Sequence, residues 1–415
     1  MKVSQERLAA YFTKMSEFTA PGEGITRLAF GQEDWQARAY IIGLMKAAGL
    51  AVRIDNFGNV IGRREGLQPD ASVVMFGSHI DSVPNGGNFD GVVGVLGAIE
   101  VINCMNEAGF KNEHPIELVV FMSEESSRFG VATLGSKTMC GHMSVEDLKK
   151  LVGKDGKSLY AVLKNHGLDA DNIAAATYKN PLKAFMEIHI EQGKVLENTQ
   201  TQIGIVTGIA APTRMKVIFS GNADHSGATP MGMRNDGLCA AAEIILKVEE
   251  LATAAKEYPV VGTVGIVQVS PGVMNVIPGR VELGIDIRSI SHETKAQVVA
   301  ELRKQIEEIS QRRAIPVEVI TLTDEIPVQL KADMIEFLDD ICKTSGYSYI
   351  QMPSGAGHDA MHWAPVTHTG MLFIPCKGGI SHNPAEWAEI KDIAAATDIL
   401  YQAMCKLAQQ DFQWK

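Results

Sequence analysis

Cysteine is scarce in this sequence, and its placement excludes two kinds of scaffold. Six cysteines are spread over 415 residues, and none of them belongs to a CxxC pair. A disulfide framework or a zinc knuckle needs paired or clustered cysteines. We therefore expect reduced, mostly buried thiols and a cytoplasmic protein.

Long apolar runs are also missing. The apolar segments are short and interrupted by charged residues or glycine, so we expect no transmembrane helix and no membrane partner. The N-terminal segment MKVSQERLAAYFTKMSEF predicts a capped amphipathic helix. It lacks the apolar centre and the cleavage site that a signal peptide requires.

The sequence has no excess of basic residues. Lys and Arg number 38 against 49 Asp and Glu, and the net charge of −11 argues against nucleic acid as the partner. No internal repeat or low-complexity segment is present. A hydrophobic content of 46% is ordinary for a globular protein, and the length suits one large or two ordinary domains.

Helix-like and strand-like segments alternate in the first half of the chain. Residues 35–48 predict an amphipathic helix, and residues 51–66 predict a hairpin. ASVVMFGSH and IELVVFMSEE are apolar runs typical of buried strands in a largely parallel sheet. This alternation indicates an α/β fold, in which ligands bind beyond the carboxyl ends of the strands.

The pattern changes near Gly204. GIVTGIAAPTRMKVIFSG predicts a strand, and the segments after it give the order β-α-β-β-α-β of a ferredoxin-like sandwich. We therefore predict an inserted α+β domain at residues 210–325. The mostly parallel α/β domain would comprise residues 1–209 and 326–415 and end in a helix from Lys391 to Gln410.

Polar groups follow or adjoin several of the apolar strands. Imidazole and carboxylate are zinc ligands and also suit manganese or cobalt, and one carboxylate can bridge two ions. Asp81 lies two residues after His79, where it could accept the His79 N–H and fix its tautomer. The candidate groups are His79, Asp90, Glu124 with Glu125, His189 and His382.

Each candidate also has a simpler interpretation. A histidine at a strand end can be a hydrogen-bonded structural residue, a pair of glutamates can be a solvated surface feature, and GISHNP can be a turn. Two adjacent glutamates would repel each other if both were buried without a cation. With a metal present, one could bind it while the other acts as general base. The residues alone leave both interpretations open.

The sequence resembles a known family. HIDS, NFDG, SEES, HIEQG, DHSGATPM, NVIPGRVELGIDIRS, SGAGHDA and GISHNPAEW occur in this order. Together they are similar to the M20 metallopeptidase-like amidohydrolases, in the branch of N-carbamoyl-L-amino acid hydrolases and allantoate amidohydrolases. The resemblance implies a metal-dependent enzyme acting on linear amides, with a di-metal catalytic domain and an inserted dimerisation and lid domain.

This resemblance also implies two divalent metal ions per subunit, either Zn²⁺ or else Mn²⁺, Co²⁺ or Ni²⁺. His79, Asp90 and His189 would hold one ion. Asp90, Glu125 and His382 would hold the other, with Asp90 as the bridge.

The resemblance assigns roles beside the ions as well. Glu124 would be the base that takes a proton from the attacking water and passes it to the leaving amine. Asp81 would orient His79. A histidine rather than a carboxylate at position 189, followed by Glu191, Gln192 and Gly193, marks the carbamoylase branch.

Further contacts would come from the inserted domain. In the family, His225 reaches the active site of the second subunit of a homodimer and helps to hold the polarised carbonyl oxygen. Asn275 and Arg288 resemble the pair that binds the substrate carboxylate, for which the arginine fork is suited. Gln192 would contact the ureido group. Without the resemblance, His225 would be a loop histidine bound to local backbone and Arg288 a surface charge.

The motif SGAGHDA would complete the substrate site. The backbone of Gly355, Ala356 and Gly357 would approach the carboxylate closely, because glycine has no side chain to prevent it. His358 and Asp359 follow, but no metal position stays open for them. We favour a supporting role for them, with direct contact as the alternative.

These roles predict hydrolysis of the carbamoyl C–N bond of an N-carbamoyl-L-amino acid, a small ureido carboxylate, to the free amino acid, ammonia and carbon dioxide. Arg214 matches a position where allantoate enzymes carry an arginine, so allantoate or ureidoglycolate is the alternative substrate. Arg214 is otherwise an exposed strand residue. HIEQG and the Asn275–Arg288 pair argue against a third possibility, an aminoacylase or dipeptidase.

Overall fold

The computed structural model describes residues 3–409, 412 and 414, which form two compact units. One unit holds the chain up to Thr207, Leu330–Met352 and the chain from Gly357 onward. The other holds Gly208–Gln329 and Pro353–Ala356. The insertion predicted at residues 210–325 falls within the second unit, and its role as a dimerisation and lid domain stays a prediction.

The helices and strands are short to medium in length and follow one another along the chain. Their order is α1 (Gln5–Met15), α2 (Gln32–Ala47), β1 (Ala51–Ile54), β2 (Val60–Arg64), β3 (Val73–His79), α3 (Val92–Glu107), β4 (Ile116–Phe121), α4 (Leu134–Met139), α5 (Val145–Lys150), α6 (Leu159–Asn165), β5 (Leu182–Ile190), α7 (Val195–Asn198), β6 (Ile203–Ile209), β7 (Ala211–Ser220), α8 (Gly237–Ala254), β8 (Val260–Ser270), β9 (Arg280–Ser289), α9 (His292–Arg313), β10 (Val317–Asp324), β11 (Val328–Gln329), α10 (Ala332–Ser345), β12 (Tyr349–Ser354), α11 (Ala360–Trp363), β13 (His368–Ile374) and α12 (Ile390–Gln409).

The first unit is built on a sheet with a parallel centre. Its strands run in the order β1-β2-β4-β3-β5-β13-β6. The four central strands β4, β3, β5 and β13 are parallel to one another, and β1, β2 and β6 pair antiparallel with their neighbours. Every residue of β3 and β4 is buried, as expected for strands covered on both faces. The predicted mostly parallel α/β sheet is confirmed.

The second unit contains a separate antiparallel sheet of four strands in the order β10-β7-β9-β8. Alternate residues of β7 and β9, among them Val217 and Leu283, are buried in one apolar core with the inner faces of α8 and α9. The other set of alternate positions carries polar side chains, including Arg214 and Asp286. Element order and strand order together are those of a ferredoxin-like sandwich, as predicted.

Several local predictions are confirmed, and one is wrong. Helix α2 and the β1–β2 hairpin lie where the sequence indicates them. The segment expected to form one strand after Gly204 is divided instead into β6 and β7, with a break at Ala210. The predicted end of the final helix, at Gln410, lies outside the described residues.

Two findings concern the cysteines and the helices. All six cysteines are free thiols. Across residues 3–409, no helix combines the length and the apolar character that crossing a bilayer requires.

Candidate metal centre and active site

The parallel strands bring the predicted ligands to one edge of the sheet. β3 ends at His79, β4 runs directly towards Glu124 and Glu125, and His189 lies one residue before the end of β5. Parallel neighbours present their carboxyl ends on the same side, so side chains distant in sequence meet there. Asp90, from the loop before α3, and His382, from the segment after β13, complete the group.

Asp90 lies at the centre of this group. Its Oδ1 is 3.1 Å from His189 Nε2 and 3.4 Å from His79 Nε2. Its Oδ2 is 3.3 Å from His382 Nε2, which in turn lies 3.1 Å from Glu125 Oε1. The ligand atoms thus form two sets of three, each within 4.8 Å, and Asp90 belongs to both. The number and identity of the ions stay a prediction.

Two backbone carbonyls orient the buried histidine rings. His79 Nδ1 lies 3.1 Å from the carbonyl oxygen of Asp81, and His189 Nδ1 lies 2.9 Å from that of Ile190. In this structure His189 Nε2 accepts the backbone N–H of Gly91 at 3.0 Å. A proton on Nδ1 donates to each carbonyl and leaves Nε2 as the nitrogen that can bind a metal ion. Both rings therefore present the nitrogen that a metal site requires.

Asp81 accepts the His79 N–H as predicted, but through its backbone carbonyl and not through its carboxylate. The carboxylate Oδ1 is 3.8 Å from His79 Nδ1, too far for a hydrogen bond. It accepts instead the backbone N–H groups of Glu124 at 3.2 Å and of Glu125 at 3.0 Å. Asp81 thus orients His79 through its carbonyl and fixes the two glutamates through its carboxylate.

Buried negative charge dominates the electrostatics of this edge. Burial lowers the pKa of His79, but the charges of Glu124, Asp90 and Asp81 outweigh it and raise that pKa well above its usual value. Burial raises the pKa of Glu124 well above its usual range, with help from the charges of Glu125 and Asp359. Carboxylates that repel one another in a buried site favour a bound cation, so these residues fit a divalent metal centre.

Glu386 is a residue beside the ligand sets that the sequence analysis missed. Its Oε1 accepts the backbone N–H groups of Phe89 at 2.9 Å and of Asp90 at 3.0 Å. Its Oε2 accepts the Ser381 hydroxyl at 3.0 Å and the His382 N–H at 3.3 Å. The signal was available, because Glu386 lies in GISHNPAEW four residues after a predicted ligand.

Gln192 also lies at the centre. Its Nε2 donates to Asp90 Oδ2 at 2.6 Å. Its Oε1 is buried without a hydrogen-bond partner among the described residues. A buried amide oxygen without a partner is costly, and a ligand with N–H donors would satisfy it.

His358, Asp359 and the unpredicted Glu187 pack around the histidine ligands. The His358 ring lies 4.4 Å from the His189 ring, and burial lowers its pKa well below the usual value. Asp359 accepts the Ser136 hydroxyl, and burial raises its pKa to about 8. Glu187 accepts the N–H of Ala360 at 3.0 Å. Neither His358 nor Asp359 belongs to a ligand set among the described residues, and their supporting role stays a prediction.

The second unit contains the predicted residues His225 and Asn275. His225 Nδ1 accepts the backbone N–H groups of Gly227 and Ala228, each at 3.1 Å. The ring proton is thereby assigned to Nε2, which becomes a neutral donor. The Asn275 backbone carbonyl accepts the Ser226 N–H at 3.0 Å, so the loops of His225 and Asn275 are joined.

Two predicted arginines come together in the same unit. Arg214 and Arg288 both bind Asp286, with N–O distances of 2.9 Å from each Nε. Arg288 Nη1 donates to the Gly355 carbonyl at 3.2 Å. Of the predicted backbone contacts, Gly355 and Ala356 belong to this unit and Gly357 to the first.

Comparison with known proteins identifies the family. Residues 75–406 match peptidase family M20/M25/M40. An N-carbamoyl-L-amino-acid amidohydrolase of Pseudomonas sp. (strain NS671) is 41% identical over 408 residues, covering 97% of this chain and 98% of its own. An allantoate amidohydrolase of Escherichia coli (strain K12) is 36% identical over 397 residues, covering 95% of this chain and 96% of its own.

A solved structure agrees with this result. The crystal structure of an amidase of the hydantoinase/carbamoylase family from Burkholderia multivorans has a TM-score of 0.93 and 35% identity, and each chain covers 99% of the other. The family is metal-dependent, which accords with the two ligand sets that share Asp90. The chain belongs to peptidase family M20/M25/M40 and is an amidohydrolase of the carbamoylase and allantoate hydrolase type.

Proposed function

We propose that the protein hydrolyses the carbamoyl C–N bond of N-carbamoyl-L-amino acids. The observation that carries this proposal is the pair of ligand sets that share Asp90, with the carboxylate of Glu124 beside them. The similarity to a carbamoylase over almost the whole chain supports a ureido substrate.

Two divalent ions would be held by the two ligand sets, and when bound they would polarise the ureido carbonyl and lower the pKa of the attacking water. Glu124 belongs to neither set, and its Oε2 lies 3.7 Å from His79 Nε2. Its carboxylate takes a proton from water as the oxygen adds to the carbonyl carbon. The same proton passes to the amino acid nitrogen as the C–N bond breaks. The carbamate product decomposes to ammonia and carbon dioxide.

Arg288 binds the substrate carboxylate in this proposal. An arginine fork can donate two parallel hydrogen bonds to a carboxylate, and Asn275 would add an amide donor. The unpartnered Gln192 Oε1 would accept an N–H of the ureido group. These contacts recognise a ureido carboxylate at both of its polar ends.

His225 would donate its Nε2 proton to the oxyanion from the second subunit of a homodimer. Support for self-association comes from β8, the edge strand of the antiparallel sheet. Val261, Ile266 and Val267 on this strand are 57%, 53% and 46% exposed. A long, apolar edge strand is a template for pairing with another chain.

A second candidate is hydrolysis of allantoate or ureidoglycolate. Arg214 favours it, because this side chain lies in one cavity with Arg288 and could bind a further polar group. The carbamoylase reaction needs no such contact. The choice between the two substrates rests on whether Arg214 touches the substrate.

The test is a side-by-side assay of the manganese- or zinc-loaded protein. Ammonia release is measured with N-carbamoyl-L-methionine, allantoate and ureidoglycolate, and methionine release with N-acetyl-L-methionine. Preference for the carbamoyl amino acid supports the main proposal. Preference for allantoate or ureidoglycolate supports the second candidate. Cleavage of the acetyl compound alone contradicts both.

A further inference from the structure

One aspartate in the second unit holds two arginines. Asp286 on β9 pairs across the sheet with Arg214 on β7. Its carboxylate accepts the Arg214 Nε–H at 2.9 Å, the Arg288 Nε–H at 2.9 Å and an Arg288 Nη2–H at 3.2 Å. Two guanidinium cations and one carboxylate give this group a formal charge of +1.

The three side chains line a cavity of about 570 Å³. Its other lining residues are uncharged and mostly apolar, among them Val261, Ile266 and Leu322. Apolar walls reduce the local dielectric constant, so a change of one charge in this cavity has a larger effect than in water. The charge of the cavity is therefore set by Arg214, Asp286 and Arg288.

Asp286 carries its negative charge at neutral pH. Burial raises the pKa of its carboxyl group, but the hydrogen bonds from Arg288 and Arg214 outweigh burial and hold that pKa below its usual value. Arg288 donates two N–H groups to Asp286 and one to the Gly355 carbonyl. Arg214 donates one N–H group to Asp286. Both arginines keep N–H donors for a ligand.

We propose that Asp286 determines specificity by limiting the substrate to one negative charge. This inference rests on the proposed function and deepens it, because it names the substrate as a ureido monocarboxylate with an uncharged side chain. A single carboxylate neutralises a cavity of charge +1. A second carboxylate would give the cavity a net negative charge and would be repelled by Asp286.

The test compares two substrates of nearly the same shape. N-carbamoyl-L-asparagine carries one negative charge and N-carbamoyl-L-aspartate carries two. We expect wild type to prefer the asparagine derivative by kcat/KM, and Asp286→Asn to reduce that preference about tenfold. Arg214→Gln removes a positive charge and should increase the preference. The double variant restores the charge of +1 and should return towards wild type.

A matched control lies on the same strand. Glu282 also pairs with two basic residues, Lys216 at 2.9 Å and Arg280 at 3.2 Å, but does not line the cavity. Glu282→Gln should leave the preference unchanged. An equal change in Glu282→Gln and Asp286→Asn would show a long-range charge effect and overturn the assignment. Arg214→Gln keeps the test decisive if Asp286→Asn does not fold.

A binding measurement separates this inference from the proposed reaction. Isothermal titration calorimetry with succinamate and succinate compares a monoanion with a dianion of similar shape and needs no turnover. A shift of binding preference towards succinate in Asp286→Asn supports the specificity role of Asp286. This holds even if the protein cleaves no ureido compound, because the lack of cleavage would contradict only the proposed reaction. Unchanged ratios in both binding and turnover would overturn the role of Asp286 even if wild type hydrolyses ureido substrates.

Discussion

Glu386 holds Asp90, the shared residue of both ligand sets, through a hydrogen bond of 3.0 Å from the Asp90 backbone N–H to Glu386 Oε1. The other carboxylate oxygen accepts the His382 N–H at 3.3 Å. One buried side chain therefore fixes the backbone of two ligand-bearing segments that lie almost 300 residues apart in sequence. Such outer contacts set the orientation of ligands before a metal binds.

Glu386→Ala should lower metal affinity without abolishing the fold. The change removes four hydrogen bonds from the segments of Asp90 and His382. Loss of a residue that hydrogen-bonds to metal-binding residues typically weakens metal binding ~10- to 100-fold. Metal content after gel filtration and a competitive chelator titration would measure the loss. Glu389→Ala is the control, because Glu389 is exposed and its carboxylate accepts a hydrogen bond from Trp387 Nε1, away from both ligand sets. Unchanged metal affinity in Glu386→Ala would contradict the positioning role.

Gly91→Ala should displace the His79 ring. A Cβ at Gly91 would lie 2.4 Å from His79 Nε2, the nitrogen that faces Asp90. Gly109→Ala is a matched control, since Gly109 has φ +63 against +64 at Gly91 and would place its Cβ in open space. Both variants carry the cost of positive φ, but only Gly91→Ala should lose metal affinity. Equal metal binding by the two variants would rule out this steric contact.

The residues of the two ligand sets could be named from the sequence because they lie in short motifs at strand ends or in the loops that follow, and the structure brings them together; their role as metal ligands stays a prediction. The hydrogen-bond partners of the individual side chains could not be predicted from the sequence. Asp81 stands two residues from His79, yet its carboxylate bonds with the backbone after β4, which comes close only in the folded sheet. In the sequence, Asp286 is one polar residue on an alternating strand. Only the register of β7 against β9 shows that it lies opposite Arg214. The break between β6 and β7 was likewise invisible in an unbroken strand-like run.

Asp34→Ala should destabilise the first unit strongly. Asp34 accepts the Arg38 Nε–H at 2.9 Å, and both side chains are fully buried. Removing the carboxylate leaves a buried cation without its counter-charge, at a cost of about 3–5 kcal/mol in the free energy of unfolding. Urea denaturation would measure it. As a control, Glu17→Ala breaks the exposed ion pair with Lys14 and should lower the free energy of unfolding by less than ~1 kcal/mol. Similar losses of stability in the two variants would show that burial of the Asp34–Arg38 pair is unimportant.

The stability of this pair also bears on the active site. Arg38 donates to the carbonyl oxygens of Val120 and Phe121 at 3.2 and 2.8 Å, at the end of β4. Glu124 follows three residues later, and its position depends on where β4 ends. Folded Asp34→Ala protein should therefore show reduced turnover as well as reduced stability, with turnover measured at a temperature below its unfolding transition.

Glu124→Gln should separate catalysis from metal binding. The glutamine keeps the size of the side chain and the backbone N–H bond to Asp81, but it cannot accept a proton. Since Glu124 lies outside both ligand sets, metal content should equal that of wild type, while kcat falls by about 10²- to 10⁴-fold. Glu125→Gln is the contrast, because Glu125 is a member of the second ligand set and its change should lower metal content first. Full activity of metal-loaded Glu124→Gln would mean that another group moves the proton, and the buried carboxylate beside His79 would then serve only the charge balance of the centre.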